Sequence, residues 1–184
     1  MEDEEAVRML LENAKQGTVK KGERIMEAGE IQTQLSFLLR GICRGYVIDE
    51  SGREVTDCFA FRQGDVIMGC NELESPAQIA VEALTECEVI WVPIRVLVQI
   101  LEEHPRAHAV YSRLLQAGLK RHWDLKRIMY QPALQRYQWF LENYPGLDDC
   151  VSGKYVASFL GITPVTLSRL RRRLREAAPP PEEI

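Results

Sequence analysis

The chain has 184 residues, of which 46% are hydrophobic and 27% are charged, and its formal net charge is −4. This composition is typical of a globular protein with one good core or two small domains. No apolar run approaches the ~20 residues that a membrane span needs, and the acidic start does not resemble a signal peptide. We therefore expect a cytoplasmic protein with no membrane partner.

The first half of the chain is predicted to be a short helix followed by β-strands. Residues 4–15 have helical spacing, and turn residues then recur every ~8–12 positions, which is the rhythm of an antiparallel sheet protein. The strand candidates are residues 17–19, 24–26, 34–40, 43–48, 54–61, 65–68, 78–83 and 86–93. Eight strands in so short a segment predict a jelly roll.

Helical periodicity returns after the strands. Residues 94–103 form one predicted helix, and Pro105 begins a long one that ends near Tyr130. Two series with seven-residue spacing follow this long helix: Tyr111, Gly118 and Leu125, and Leu115, His122 and Met129. Such offset series predict a dimer seam, and burial against the β-domain is the alternative. Pro132 begins a further helix with an apolar face formed by Leu134, Tyr137, Phe140 and Leu141.

Cysteine and histidine usage argues against an enzyme. The five cysteines are scattered without a C-x-x-C pair, so we interpret most of them as buried small hydrophobic residues. They are Cys43, Cys58, Cys70, Cys87 and Cys150. The histidines His104, His108 and His122 lie in or beside the long helix, whereas a metal-dependent jelly-roll enzyme needs such ligands on its strands. We expect no catalytic activity.

Residues 154–175 indicate a helix, a tight turn and a second, basic helix. Ala157 permits close helix crossing, and Gly161 lies at the turn, where glycine best tolerates a left-handed backbone. Thr163 and Pro164 begin the second helix with an N-cap hydroxyl and a proline at its first position. The predicted packing residues are Val156, Leu160, Ile162, Leu167 and Leu170. This arrangement is that of a DNA-binding helix-turn-helix.

The positive charge of the chain is concentrated in this segment. Residues 151–175 carry six basic and no acidic side chains, whereas residues 1–150 carry a net charge of −7. A basic unit in an acidic chain predicts binding to double-stranded DNA. The alternative is a non-DNA regulatory protein that acts through protein contacts, with the arginines forming a solvated helix face.

Several segments in this order resemble the cyclic-AMP receptor protein/fumarate-nitrate regulator (Crp/Fnr) superfamily of bacterial transcription factors. The resemblance rests on residues 20–23, 28–30, 37–41, 63–67 and 81–84, and on YVASFLGITPVTLSRLRRRL at residues 155–174. It implies an α+β protein that forms a homodimer on two-fold-related DNA half-sites, with a signal sensed in the β-roll. An activator of this family would also contact RNA polymerase.

We accordingly divide the chain into a β-roll sensor domain (residues 1–103), a long dimerisation helix (104–131) and a helix-turn-helix domain (132–184). The resemblance implies that Arg169 reads a base, that Thr166 and Ser168 contact phosphates, and that Arg172 and Arg173 hold phosphates. Arg171 and Arg175 are expected to be solvated. The complete set of predicted DNA-binding residues is Thr163, Pro164, Val165, Thr166, Ser168, Arg169, Arg172 and Arg173.

The predicted sensor departs from the nucleotide-binding members of the family. Those members have an arginine in a phosphate cassette, but no Lys or Arg lies between Arg62 and Arg95 here. The segment instead contains Asp65, Glu72, Glu74, Glu82, Glu86 and Glu88. Because these carboxylates would repel an anionic ligand, we expect that cyclic AMP and cyclic GMP do not bind.

The identity of any cofactor stays open. The first 42 residues contain no cysteine, so the four-cysteine iron–sulfur cluster of some family members is not expected. A haem ligated by cysteine or by His122 is an alternative to simple burial of these side chains. The candidate effector-pocket residues are Met68, Gly69, Cys70, Asn71, Glu72, Gln78, Ile79, His122 and Trp123.

Overall fold

The computed structural model describes residues 2–70 and 72–177. The chain forms two compact units, residues 1–121 and 122–184, and their boundary lies inside one long helix. Within the described ranges, no helix combines the length and the apolar character that a membrane span requires. The three-part division given above stays a prediction.

The first unit is a jelly roll of two four-stranded antiparallel sheets, as the strand rhythm predicted. Each sheet contains four of the eight strands β1–β8, in the orders β1-β8-β3-β6 and β2-β7-β4-β5, where β1 is Lys15–Val19, β2 Arg24–Met26, β3 Gln34–Arg40, β4 Cys43–Ile48, β5 Glu54–Ala60, β6 Val66–Ile67, β7 Ala80–Ala83 and β8 Cys87–Pro93. The first three helices are α1 (Glu2–Asn13), α2 (Ile94–Glu103) and α3 (Pro105–Ile128).

The core of the roll is formed by alternate residues of the strands, since alternate side chains share one face of a sheet. It contains Val19, Leu38, Cys43, Ile67, Val81, Ala83, Cys87 and Val89. Gly41 makes the turn between β3 and β4 with a φ of 107°, and a Cβ there would lie 2.6 Å from the Cys87 Sγ. Glycine is therefore required at this turn on two counts.

Two predicted strands are each two residues shorter in the structure. The strand predicted over residues 65–68 is reduced to β6, because Asp65 belongs to a turn in which its carboxylate accepts from the backbone N–H groups of Phe61 and Arg62. The strand predicted over residues 78–83 is reduced to β7, because the Gln78 N–H donates to the Gly69 carbonyl at 2.8 Å. Local hydrogen bonds at both sites replace pairing between strands.

The long helix α3 buries none of its residues. The half-buried residues of the predicted seam are Tyr111, Gly118, Leu125 and Met129, while Leu115 and His122 are exposed. Met129 follows the last residue of α3, Ile128. The exposed large apolar side chains of α3 are Val110, Leu114, Leu115, Leu119 and Trp123. An apolar helix surface of this extent is a candidate for contact with another molecule.

The second unit packs helices around an aromatic and aliphatic core. Its elements after α3 are α4 (Ala133–Asn143), α5 (Leu147–Cys150), α6 (Gly153–Phe159) and α7 (Pro164–Ala177). Phe140 stacks on Tyr144 with ring centroids 5.1 Å apart, and Phe159 meets Phe140 edge-on at 5.9 Å. These contacts join α4 to α6.

The structure corrects two sequence predictions for this unit and adds one helix that was not predicted. Leu141 is 37% exposed rather than packed, because Tyr137 and Phe140 already form the buried side of α4. Ile162 and Leu170 are half-buried, in contrast to Val156, Leu160 and Leu167, which are fully buried. The short helix α5 was not predicted, since four residues are too few to show a helical period.

Candidate nucleic-acid interface

The turn between α6 and α7 has the geometry that the sequence predicted. Gly161 adopts a left-handed φ of 60°, and the Ile162 N–H donates to the Ala157 carbonyl at 2.9 Å. A Cβ at Gly161 would lie 2.7 Å from the Met129 side chain. Glycine therefore allows the chain to turn, and it leaves room for the Met129 side chain to pack against the turn.

The N-terminus of α7 is capped by Thr163. Its Oγ1 accepts from the Thr166 backbone N–H at 3.1 Å and lies 2.9 Å from the Thr166 hydroxyl. Pro164 occupies the first helical position, where a missing N–H leaves no hydrogen bond unmade. The capping prediction is confirmed, and the Thr166 hydroxyl points to the cap.

The exposed surface of α7 brings most of the predicted DNA-binding residues together. Leu167 faces inward and is 1% exposed, whereas Val165 is 61% exposed. The exposed members of the predicted set are Thr163, Pro164, Val165, Ser168, Arg169, Arg172 and Arg173, and Thr166 is half-buried. Val165, Arg169 and Arg172 are spaced by four and three residues, so they lie along one helix face.

Arg171 is not a solvated arginine, which corrects the sequence prediction. Its Nη2 lies 2.6 Å from Asp148 Oδ1, and its Nε lies 3.0 Å from Asp148 Oδ2. This two-point pairing is the strongest arrangement of an arginine with a carboxylate. The Asp148 carboxylate raises the pKa of the Arg171 guanidinium, so this side chain stays charged and attached to α5.

Tyr137 of α4 completes this contact. Its hydroxyl donates to Asp148 Oδ2 at 2.7 Å. Burial, together with the negative charge of Asp148, raises the pKa of Tyr137 to about 12. Asp148 thus connects α4, α5 and α7, and it holds α7 with Arg171 directed inward.

Arg136 supports the other side of the turn. Its Nη1 donates to the carbonyls of Leu160 at 2.6 Å and Gly161 at 3.3 Å. These carbonyls lie at the end of α6, where a helix leaves acceptors without intrahelical partners. Sequence reasoning missed Arg136, Tyr137 and Asp148 as positioning residues; Asp148 next to Asp149, directly before a basic segment, was the available signal.

The candidate effector residues fall in both units. Gly69 is buried, Met68, Cys70 and Ile79 are half-buried, and Glu72 and Gln78 are exposed on the first unit. His122 and Trp123 are exposed and belong to the second unit. Asn71 lies outside the described residues. The Gly69 N–H donates to the side chain of Gln32 at 2.8 Å, a residue that the sequence analysis did not identify.

One carboxylate of the predicted acidic pocket is already neutralised. Arg44 of β4 is 1% exposed and pairs with Glu82 of β7 at 2.6 Å. Arg44 also pairs with Glu54 and lies over the ring of Tyr46 at 4.3 Å. The cation comes from the neighbouring strand, in register with Glu82, and so it fell outside the segment searched for Lys and Arg.

The cysteines differ in their environments. Cys43 and Cys87 are buried with their Sγ atoms 3.5 Å apart, Cys58 and Cys70 are half-buried, and Cys150 is exposed. The expected burial is complete for Cys43 and Cys87, and it does not hold for Cys150. Desolvation is the main cause that raises the pKa of Cys58 to about 12, which keeps this thiol protonated and unreactive.

We compared the sequence and the fold of this chain with those of known proteins. Residues 16–104 match the Cyclic nucleotide-binding domain family. FixK2 from Bradyrhizobium japonicum has a similar structure, with a TM-score of 0.80 and 21% identity over 89% of this chain and 85% of that chain. The c-di-GMP responsive global regulator CLP of Xanthomonas campestris has a TM-score of 0.74 and 14% identity over 95% and 93%.

A protein from Eubacterium rectale, described as a transcriptional regulator of the Crp/Fnr family, has a TM-score of 0.72 and 16% identity over 94% of this chain and 83% of that chain. This chain has the Crp/Fnr fold. Within it, the β-roll lies in the segment that matches the cyclic nucleotide-binding domain family. No curated protein sequence matched the chain. The predicted α+β class and the family resemblance are thereby confirmed.

The Tyr137–Asp148 contact predicts a specific alkaline response. The folded protein retains the Tyr137 proton up to about pH 12, whereas an unfolded tyrosine loses it near pH ~10. Unfolding therefore releases a proton in this interval, and the free energy of unfolding falls as pH rises through it. Tyr137→Phe has no such proton, so its free energy of unfolding falls less.

Urea unfolding of both proteins at neutral pH and at several alkaline pH values measures the difference. At neutral pH the variant is expected to be less stable by about 1–2 kcal/mol, because it lacks the hydrogen bond to Asp148. The gap is expected to narrow above pH ~10. A gap that stays constant with pH contradicts the assigned contact.

Proposed function

We propose that this chain is a sequence-specific DNA-binding transcription regulator that acts as a homodimer and responds to a signal in its β-roll. The observation that carries the proposal is the exposed face of α7. Arg169, Arg172 and Arg173 point outward there, while Arg171 is held inward by Asp148. A basic helix fixed in this way is suited to enter the major groove.

The roles of the arginines follow from their positions on α7. Arg169 lies near the capped N-terminus, and in a helix-turn-helix the N-terminal residues of the second helix meet base edges. A bidentate contact of arginine with guanine discriminates by about 1–3 kcal/mol. Arg172 and Arg173 lie about one turn further along the helix, where phosphate contacts are expected. Val165 is exposed and fits an apolar contact with a thymine methyl group.

The surface of α3 supports the homodimer. No residue of this helix is buried within one chain, and its heptad positions place Tyr111, Gly118 and Leu125 beside Leu115 and His122. Heptads of this kind pair with a second helix of the same pattern. We infer that a second copy of the chain covers α3. Contact with RNA polymerase stays a prediction of the family resemblance.

The β-roll supports a signal other than a cyclic nucleotide. The described segment between Arg62 and Arg95 offers carboxylates and no cation, and the buried Arg44 is engaged by Glu82 and Glu54. A cyclic phosphate removed from water needs a cation and oriented donors. The proposal therefore keeps the cyclic nucleotide-binding domain fold and excludes cyclic AMP and cyclic GMP as effectors.

The proposed roles predict different behaviour for two arginine variants. Arg169→Ala is expected to lose the preference for a duplex retained from a random pool over a scrambled duplex, by about 1–3 kcal/mol. Arg173→Ala is expected to weaken binding to both duplexes alike and to reduce the salt slope by about one. Fluorescence anisotropy over a salt series measures both effects.

The control for this pair is Arg40→Ala, which removes the same charge from an exposed position of the β-roll. It should bind both duplexes as the unmodified protein does. Equal losses on both duplexes from Arg169→Ala and Arg173→Ala would contradict the division of roles. Absence of salt-dependent duplex binding in every protein would favour a regulator that acts through protein contacts.

Thermal unfolding tests the exclusion of cyclic nucleotides. A ligand that binds only the folded state raises Tm as its concentration increases. Millimolar cyclic AMP or cyclic GMP is expected to leave Tm unchanged, because the segment of residues 68–79 offers no cation. A rise in Tm that a substitution within this segment removes would overturn the exclusion.

A further inference from the structure

A half-open pocket lies in the β-roll among β2, the loop of residues 27–33, β3 and β8. Its volume is about 130 Å³, and an engineered cavity of about 150 Å³ is large enough to hold benzene. Its apolar lining includes Ile25, Met26 and the indole of Trp91. Gln32 and Ser36, both almost completely buried, supply polar groups.

Gln32 is the feature that points to a ligand. This side chain is 3% exposed, and its Oε1 accepts from the Gly69 N–H at 2.8 Å. Its Nε2 has no hydrogen-bond partner among the described residues. A buried donor without a partner raises the free energy of the folded state, because it has given up its hydrogen bond to water. A molecule that presents an oxygen acceptor to Nε2 would recover this energy.

The charges of the residues that line the pocket indicate which ligand charge it can accept. Among the described residues that line the pocket, none is basic, and the one charged residue is Glu30 at an exposed position. A carboxylate near the entrance and the absence of a cation disfavour an anion. We propose that this pocket binds a small uncharged molecule that carries a carbonyl oxygen on an apolar body. The carbonyl meets Gln32 Nε2, and the body packs on Trp91 and Met26.

The pocket is joined to the segment that follows β6. The Gly29 N–H donates to the Ala77 carbonyl, and the Ala77 N–H donates to the Glu30 carbonyl, both at 2.8 Å. The Gln32 N–H donates to the Ser75 carbonyl at 3.1 Å. These bonds attach the loop of residues 27–33 to residues 75–77, so the two loops form one structure.

Gly69 lies where this structure meets the pocket. A Cβ at Gly69 would lie only 2.3 Å from the Met26 Sδ and 2.5 Å from the Ala77 Cβ. Gly69 thus contacts two pocket residues, Met26 and Gln32, without free space between them. Displacement of either side chain by a ligand therefore disturbs the packing around Gly69 and the loop behind it. An effect of this change on DNA binding rests on the function proposed above, whereas binding of the small molecule in the pocket does not.

The test uses the full chain labelled with ¹⁵N and three probes of similar size. Isobutyramide is neutral and has a carbonyl oxygen, isobutyrate is its anionic counterpart, and isobutylamine has no carbonyl. Isobutyramide is expected to shift the resonances of the Gln32 side-chain NH₂ and the Gly69 backbone N–H in a saturable manner. Isobutyrate and isobutylamine are expected to bind at least about tenfold more weakly.

Two variants test whether isobutyramide binds in this pocket. Gln32→Glu keeps an acceptor for the Gly69 N–H but removes the Nε2 donor, and Thr33→Phe closes the mouth of the pocket from an exposed position. Both are expected to abolish the saturable shift of Gly69. The matched control Gln63→Glu makes the same chemical change at an exposed turn away from the pocket, and it should bind isobutyramide as the unmodified protein does.

The proposal is overturned if no probe gives a saturable shift, or if isobutyrate binds as well as isobutyramide. It is also overturned if both Gln32→Glu and Thr33→Phe bind isobutyramide unchanged. Should Gln32→Glu fail to fold, Thr33→Phe alone decides. A protein that binds isobutyramide but no duplex DNA would support this pocket and refute the function proposed above.

Discussion

The carboxylate of Asp148 determines how the basic helix α7 is presented. It accepts hydrogen bonds from Tyr137 and Arg171, and so it joins α4, α5 and α7 through one side chain. Loss of one partner of such a contact is costly, because the other charge is left partly desolvated. Because Asp148 pairs with Arg171, this arginine stabilises the fold and is not available on the exposed face of α7. Arg169, Arg172 and Arg173 remain on the exposed side.

The β-roll depends on a similar use of charge. Arg44 is buried and is paired with two carboxylates from neighbouring strands, so this cation is already engaged. The roll therefore has the fold of the cyclic nucleotide-binding domain family without a free cation for a phosphate in its described sensor segment. Gln32 supplies a buried donor in its place, and this donor suits a neutral acceptor.

Local sequence signals predicted much of this structure. The bounds of β2, β3, β4 and α2 agree with the sequence prediction, because alternation and helical spacing are properties of neighbouring residues. Gly161, Thr163 and Pro164 predicted the turn and cap, since each residue type suits one backbone position. The contacts that define both sites were not predictable in this way. Asp148–Arg171, Gln32–Gly69 and Arg44–Glu82 join residues 23, 37 and 38 positions apart, and only the folded chain brings them together.

The proposed function requires that α7 reads DNA as part of a two-fold symmetric dimer. Selection of random duplex DNA by the purified full chain, followed by sequencing, tests this requirement. We expect an enriched palindrome whose half-sites are centred about one helical turn, ~34–36 Å, apart. Enrichment of a single unrepeated site, or of no sequence under conditions in which the protein is folded, would contradict it.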